Sequence, residues 1–434
     1  MNLSVIGTGY LGVTHAAAMA ALGHEVLGLD IDPVKVATLA SGRVPFHEPG
    51  LPELLREMIA TGRLRFTTDY AEAGAFADVH FVCVGTPQKA GEYAADMRFV
   101  DAAVESLIPH LRAGSLVVGK STVPVGSAER LAEAVGAVDC DLAWNPEFLR
   151  EGHAVEDTLR PDRIVVGVEV ERAEKTLLDV YEQLVDSGIP VVVTDFATAE
   201  LVKVAANAFL ATKISFINAM AEVCEVVGAD VTQLADAIGH DDRIGRKFLD
   251  AGLGFGGGCL PKDIRAFMAR AGELGIDQAL AFLKQIDEIN VRRRARTVDL
   301  ARDMCGGSLA GMRVAVLGAA FKPNSDDIRD SPALDVALAT QRAGAAVRVY
   351  DPQAMNNARR SFPTLAYAAS AVDAARDADV VLVLTEWEEF VTMHPSSLSA
   401  VVRHRRIVDG RNKLDRVLWT REGWTHRTLG RRSI

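Results

Sequence analysis

NLSVIGTGYLG, residues 2–12, decides the fold: a short apolar run feeds directly into Gly7, Gly9 and Gly12 at GxGxxG spacing, and an alanine-rich helical stretch follows. In a strand, glycine turn and helix taken in that order, the first glycine makes the tight turn. The second lets backbone amides approach a pyrophosphate, and the third allows the helix to pack closely on the strand. The stretch predicts a Rossmann-type domain with Gly7, Gly9, Tyr10, Leu11 and Gly12 at a dinucleotide. The next apolar run, EVLGLD, ends in Asp30. A carboxylate at that place accepts hydrogen bonds from the adenosine ribose and repels a 2′-phosphate, so the expected cofactor is NAD rather than NADP.

The same grammar continues downstream. FVCVGTP at 81–87 and SLVVGKSTVPVG at 115–126 each place Ser or Thr at the carboxyl end of a strand. That edge is where doubly wound sheets bind ligands. Thr86, Ser121 and Thr122 read there either as ligand contacts or as turn and cap residues. In LAWNPEFLREG, Asn145-Pro146 has the form of a helix start, and Glu147 and Glu151 share a face if the segment is helical. Such a pair reads as acid/base carboxylates or as solvated helix charges.

From residue 197 to about 227 the chain contains neither Gly nor Pro, and apolar residues cover most of a helical circumference before Gly228. The expectation is one helix of roughly 45 Å, buried on most sides and packed on a partner subunit. Lys203 and Asn207 fall one turn apart on one of its faces. Charges at Glu200, Lys203, Lys213, Glu222 and Glu225 interrupt the tract and argue against a membrane span. Residues 262 to about 304 read as further helix. The strand grammar then restarts in GMRVAVLGAAFKPNSDDIRDSPA, 311–333, and later strands lie within 345–351, 378–385 and 406–412. This second Rossmann-like sheet lacks GxGxxG and carries Lys322 and Arg329 instead, with Arg411 at a similar edge. They read as ligands of a different anion or as surface charges.

FLDAGLGFGGGCLPKD, 248–263, sets Cys259 between a glycine run and Leu-Pro-Lys-Asp. Glycines let a substrate approach the backbone, and a neighbouring cation favours the thiolate. This is the setting of a nucleophile. Cys83, Cys140, Cys224 and Cys305 lie in apolar runs or near element ends and read as structural. No Cys/His spacing suggests a metal site. Five cysteines, and no secretory leader pattern at the start, point to a reduced cytoplasmic protein. The 434 residues suggest two or three domains, with 49% hydrophobic and 24% charged residues ordinary for a cored globular chain. A net charge of −11 argues against nucleic-acid or acidic-membrane partners, while local Lys and Arg can still hold an anionic substrate.

In order, GTGYLG, STVPVG, NPEFLREG, ELVKVAANAFLATKISFIN, FGGGCLPKD and FKPNSDDIRDSP closely resemble the nucleotide-sugar 6-dehydrogenases, from residue 1 to about 412. The resemblance implies an α/β chain of two Rossmann-like doubly wound domains, joined by a long central helix and a helical dimerisation region. The expected boundaries are 1–196 for NAD, 197–304 for the centre with the cysteine loop, and 305–434 for the nucleotide sugar. It also implies a two-step, four-electron oxidation of a sugar CH₂OH to a carboxylate by two NAD⁺ and one water, in a homodimer or higher oligomer. CLPKD fits the UDP-glucose and GDP-mannose branches better than the N-acetylhexosamine branch. The expected reaction is UDP-glucose to UDP-glucuronate, with GDP-mannose or another nucleotide hexose as the alternative.

Carried over residue by residue, the resemblance makes Cys259 the nucleophile and gives oxyanion stabilisation to Lys203 and Asn207. Asp263 holds a water or accepts a proton, and Glu147, with Thr122, activates water for thioester hydrolysis. NAD contacts fall on Asp30, Lys35, Thr86, Thr122, Glu151, Lys262 and Arg329 beside the glycine turn. Substrate contacts fall on Phe148, Leu149, Arg150 and Glu151, on Lys203 and Asn207, and on the loop Phe248, Leu249, Asp250, Ala251 and Gly252. Gly256, Lys322 and Arg411 complete them, and Arg243 reaches the sugar of the neighbouring subunit. Gly258 and Ala219 depart from the usual pattern, where Ser and Glu are frequent, which bears on loop rigidity and packing rather than on a catalytic group.

Overall fold

The computed structural model describes residues 1–431. Two compact units divide the chain: Met1–Ala206 with Arg265–Gly275, and Asn207–Ile264 with the chain from Ile276 onward. Each unit is built on its own sheet.

The first sheet contains β1 (Asn2–Ile6), β2 (Glu25–Leu29), β3 (Leu64–Thr67), β4 (Val79–Val82), β5 (Leu116–Gly119), β6 (Asp141–Trp144), β7 (Ile164–Gly167) and β8 (Val191–Thr194). Their spatial order is β3-β2-β1-β4-β5-β6-β7-β8. All neighbours pair in parallel except β6 and β7, which meet antiparallel at Trp144 and Gly167. β1, β4 and β5 are almost wholly buried apolar runs, as strands covered on both faces must be. The strand order reverses between β1 and β4, and the crevice beyond their carboxyl ends is the ligand edge of such a sheet.

The second unit repeats the plan with β9 (Arg313–Leu317), β10 (Ala346–Tyr350), β11 (Ala366–Tyr367), β12 (Val380–Val383), β13 (Arg406–Asp409) and β14 (Thr425–Thr428). These lie in the order β11-β10-β9-β12-β13-β14 and pair in parallel throughout. The turn after β9 is long, because the following helix starts only at Pro332. The two doubly wound sheets are those the sequence led us to expect.

The central helix runs Phe196–Val227, 32 residues and about 48 Å. By length and composition alone it could cross a bilayer, with 44% of its most apolar window buried. Its polar groups nevertheless have partners inside each unit. Glu200 accepts two backbone N–H groups in the first, and in the second Ser215 donates to the Ile286 carbonyl and Glu225 pairs with Arg293. Within the single chain one stripe of the helix stays open. Phe209, Phe216 and Val223, at heptad spacing, are 66%, 48% and 52% exposed.

One expectation fails. Residues 145–150 are irregular, and the helix begins at Ala154. Asn145 is no cap: it is 2% exposed, and its side chain bridges Lys120, Tyr181 and the Val165 carbonyl. Glu48, from a distant loop, accepts the Gly152 and Ala154 N–H groups at 2.6 and 2.7 Å and so serves the helix start instead.

A Cβ on Gly119 in β5 would sit 2.1 Å from the Trp144 ring, whereas one on Gly136 would meet nothing within 4 Å. Gly119→Ala should therefore cost roughly 1–3 kcal/mol through overpacking. Gly136→Ala should be neutral or stabilise by up to about 1 kcal/mol. Paired denaturant titrations check this, and equal midpoints for the two variants would contradict it.

Candidate active site

The glycine turn has the geometry its spacing predicts. Gly7 has φ +86°, and a Cβ there would lie 2.6 Å from Val84. A Cβ on Gly12 would lie 1.8 Å from the Gly7 carbonyl oxygen, while the space around Gly9 is open. That opening, at the start of the helix Tyr10–Ala21 with no side-chain cap, suits a pyrophosphate. The Tyr10 side chain is engaged elsewhere, its hydroxyl donating to Glu48 and accepting the Gly152 N–H. Burial, and then Glu48, raise its pKa above the ordinary tyrosine value.

Asp30 stands just past β2 and is 6% exposed. Its carboxylate accepts the Thr8 N–H at 2.9 Å and pairs with Lys35 at 2.9 Å. Burial works against its charge, but the Lys35 ammonium and the N–H groups of Asp32 and Thr8 outweigh it and hold the carboxyl below its usual range. An ionised carboxylate at this place is what the discrimination against a 2′-phosphate requires.

The loops after β4 and β5 are laced together at the same edge. Thr86 donates to the Thr122 carbonyl at 2.6 Å, and Ser121 donates to the Val84 carbonyl at 2.6 Å. The far end of the second loop is clamped by Glu200, which accepts the Gly126 and Ala128 N–H groups at 2.7 Å each, and by Arg270, which donates to the Val125 carbonyl. Burial pushes Glu200 up to about 7 although those N–H groups and Arg270 favour its charged form.

Glu147 sits in the irregular turn after β6, accepts the Leu149 N–H at 2.8 Å and pairs with Lys203 at 3.0 Å. Both side chains are largely buried, and Lys203 Nζ also lies 5.5 Å from the Phe148 ring centroid. Glu151 is buried and Arg150 forks onto Asp157, so the pair Glu147 and Glu151 does not share a helical face.

In the second unit, Cys259 is exposed and directly precedes the helix Leu260–Glu273, its carbonyl accepting the Asp263 N–H at 2.9 Å. A helix N-terminus favours negative charge. The other four cysteines are buried. Asp263, 2% exposed, accepts Asn207 Nδ2 on one oxygen and Lys262 Nζ on the other, each at 2.6 Å. The loop before Cys259 approaches its neighbours where only hydrogen fits: a Cβ on Gly257, at φ +87°, would lie 2.7 Å from the Phe321 ring. One on Gly258 would lie 2.2 Å from the Arg329 guanidinium, so a side chain there requires that guanidinium to move aside. Asn290, fully buried, exchanges hydrogen bonds with the Phe255 backbone.

The remaining candidates fall at the edges of that unit. Gly252 donates to Asn218, Asp250 pairs with Arg246 and Lys413, and Phe248 holds φ +66°. A Cβ on Gly256 would lie 2.3 Å from the Asp330 carbonyl. Lys322 lies 5.3 Å from the Phe321 ring, and Arg329 forks onto Asp327. Arg411 donates to the carbonyls of Leu384, Gly254 and Phe321, so it braces the cysteine loop. Arg243 is exposed and pairs with Asp241.

Models of the UDP-glucose/GDP-mannose dehydrogenase family match the chain at residues 1–185 (NAD binding domain), 197–292 (central domain) and 315–416 (UDP binding domain). The chain belongs to this family. It is 41% identical to the UDP-glucose 6-dehydrogenase of Rhizobium meliloti, over 99% of this chain and all of that one. It is 44% identical to that of Haloferax volcanii over 99% and 100%. The solved structure of a UDP-glucose dehydrogenase from Pyrobaculum islandicum superposes with a TM-score of 0.88 at 41% identity, covering 95% of this chain and 94% of that one. This is an NAD-dependent nucleotide-sugar dehydrogenase.

Several groups that shape the dehydrogenase's site escaped the sequence reading. Glu48, Lys120, Tyr181, Asn218 and Asn290 act through partners far away in the chain. For Lys120, Asn218 and Asn290 the one signal is a polar residue at a strand end or inside a helical pattern, and Glu48, in a loop, has none. Glu200 carries a consequence for pH. Its native pKa lies above its ordinary 4.5, so the stability it contributes is present in acid and is lost as pH rises from 4.5 through about 7. Glu200→Gln should flatten the pH dependence of the unfolding midpoint across that window. A slope equal to the parent's would contradict the assignment.

Proposed function

We propose that the dehydrogenase oxidises UDP-glucose to UDP-glucuronate through a thiohemiacetal and a thioester on Cys259. The observation that carries this reading is an exposed thiol at the head of a helix whose Asp263 is hydrogen-bonded to both Asn207 and Lys262. Full-length relatives that bear the name UDP-glucose 6-dehydrogenase support the choice of sugar nucleotide. The glycine turn, Asp30 and Lys35 would hold NAD⁺, with Thr86, Thr122, Glu151, Lys262 and Arg329. When bound, NAD⁺ accepts a hydride in each of the two oxidations.

In this reading the alcohol proton leaves to a base while Lys203 and Asn207 stabilise the alkoxide. The resulting aldehyde is attacked by the Cys259 thiolate, and its oxygen takes up a proton to give the thiohemiacetal. Loss of that proton with a second hydride leaves the thioester. Water, oriented by Glu147 with Thr122, adds to the acyl carbon, and the thiol departs to leave the carboxylate. Asp263 holds a water or, with Lys203, accepts a proton. The turn Phe148–Glu151, the loop Phe248–Gly252, Gly256, Lys322 and Arg411 would receive the nucleotide sugar.

Cys259→Ser should retain NAD and substrate binding but fail to complete oxidation, because a serine alkoxide is far less accessible near neutral pH than a thiolate. Glu147→Gln should slow hydrolysis so that an acyl adduct on Cys259 appears by intact-protein mass spectrometry. Full turnover by the serine variant, or no adduct with unchanged rate in the glutamine variant, would overturn these roles. A substrate panel read by NADH formation tests the sugar: GDP-mannose oxidised faster than UDP-glucose would reverse the assignment.

The exposed stripe Phe209, Phe216 and Val223 supports a two-fold dimer through the central helix, since such a surface is costly to leave in water. Arg243 would then act on the partner's sugar. Mixing inactive Arg243→Ala with inactive Cys259→Ser subunits should restore activity. Differently tagged mixed dimers that form and stay inactive would exclude the role in trans.

A further inference from the structure

Lys120 follows the last residue of β5 and is 7% exposed. Its ammonium meets neutral oxygens: Asn145 Oδ1 at 2.8 Å, the Asn145 carbonyl at 3.4 Å and the Tyr181 hydroxyl at 3.4 Å. The rings of Phe81 and Tyr181 lie 5.9 Å away. A buried ammonium without a carboxylate at contact distance is a costly choice, and an apolar side chain of the same length would be cheaper. Burial accordingly draws its pKa down to about 8.

What this charge holds is the residue two places before Glu147. Asn145 is gripped on every side: its N–H donates to the Gly119 carbonyl at 2.8 Å and its Nδ2 to the Val165 carbonyl at 2.7 Å. Its Oδ1 accepts both Lys120 and the Tyr181 hydroxyl, the latter at 2.7 Å. The turn that follows has no helix or strand to stiffen it. Its geometry rests on this buried knot, and Glu147 emerges from it to meet Lys203. The Glu147 carboxylate and the Lys203 ammonium are both close enough to Lys120 to act on its charge.

We propose that Lys120 is a positioning residue for Glu147, fixing the Asn145-Pro146-Glu147 turn from the buried side so that the carboxylate is aimed for the hydrolytic step. It touches neither substrate nor cofactor. The proposal rests on the thioester reading above, and its test separates the two.

Lys120→Met keeps the length of the side chain and removes its donors. It should lower kcat by roughly tenfold or more, since small displacements of a reacting group are costly. KM for NAD should stay within about twofold, since the glycine turn, Asp30 and Lys35 lie outside this knot. The acyl adduct on Cys259 should accumulate as in Glu147→Gln, and the double variant Lys120→Met/Glu147→Gln should be no slower than Glu147→Gln alone. Tyr181→Phe, which removes one hydroxyl from the knot and keeps its ring, should move kcat and adduct the same way by less, and decides the matter if Lys120→Met does not fold.

A lowered melting temperature with parent-like kcat and no adduct, while Glu147→Gln traps one, would reduce Lys120 to a structural role. Fully multiplicative losses in the double variant would do the same. If Glu147→Gln traps nothing and turns over at the parent rate, Glu147 has no part in hydrolysis and the proposal for Lys120 falls with it, while Cys259→Ser separately decides the thioester reading.

Discussion

Backbone brought to distances that only a hydrogen atom permits is the constraint on which both units rest. In the first, Gly12 lies so close to the Gly7 carbonyl that no side chain fits, and this contact seats the helix Tyr10–Ala21 at the end of β1. In the second, the run up to Cys259 threads between the Phe321 ring, the Arg329 guanidinium and the Asp330 carbonyl. The Cys259 thiol is held at the helix start by backbone packed against its neighbours.

Around these glycines the protein buries polar side chains that no strand or helix requires. Glu48, Lys120, Glu200 and Asn290 each tie one loop to an element distant in sequence. Loops that carry reacting groups cannot draw rigidity from a hydrogen-bond ladder, so it must come from such side-chain brackets. Each bracket is costly to bury and more costly to leave half satisfied. They are concentrated at the turns bearing Thr122, Glu147 and Cys259.

What the sequence disclosed follows the range of the forces involved. The glycine turn, β1 and the central helix depend on local spacing and on the absence of Gly and Pro, and all three were legible almost to the residue. The reading of Asn145-Pro146 as a helix start failed because Lys120 and Tyr181, partners 25 and 36 residues away, claim the Asn side chain that would have capped a helix. Arg411 was placed at the right edge, yet its engagement with three carbonyls depends on loops that meet only in the folded unit. The surroundings of Cys259 were legible because they are local: glycines before it, a cation and a carboxylate after it.

On the proposed route, one thiol lets a single site carry an alcohol through to a carboxylate by two hydride transfers. The most direct measurement is the stoichiometry of a limited reaction, with UDP-glucose exhausted, NADH read by absorbance and the sugar products quantified. The thioester route predicts two NADH for every UDP-glucuronate formed and no free aldehyde. One NADH per sugar, with the aldehyde released into solution, would contradict it.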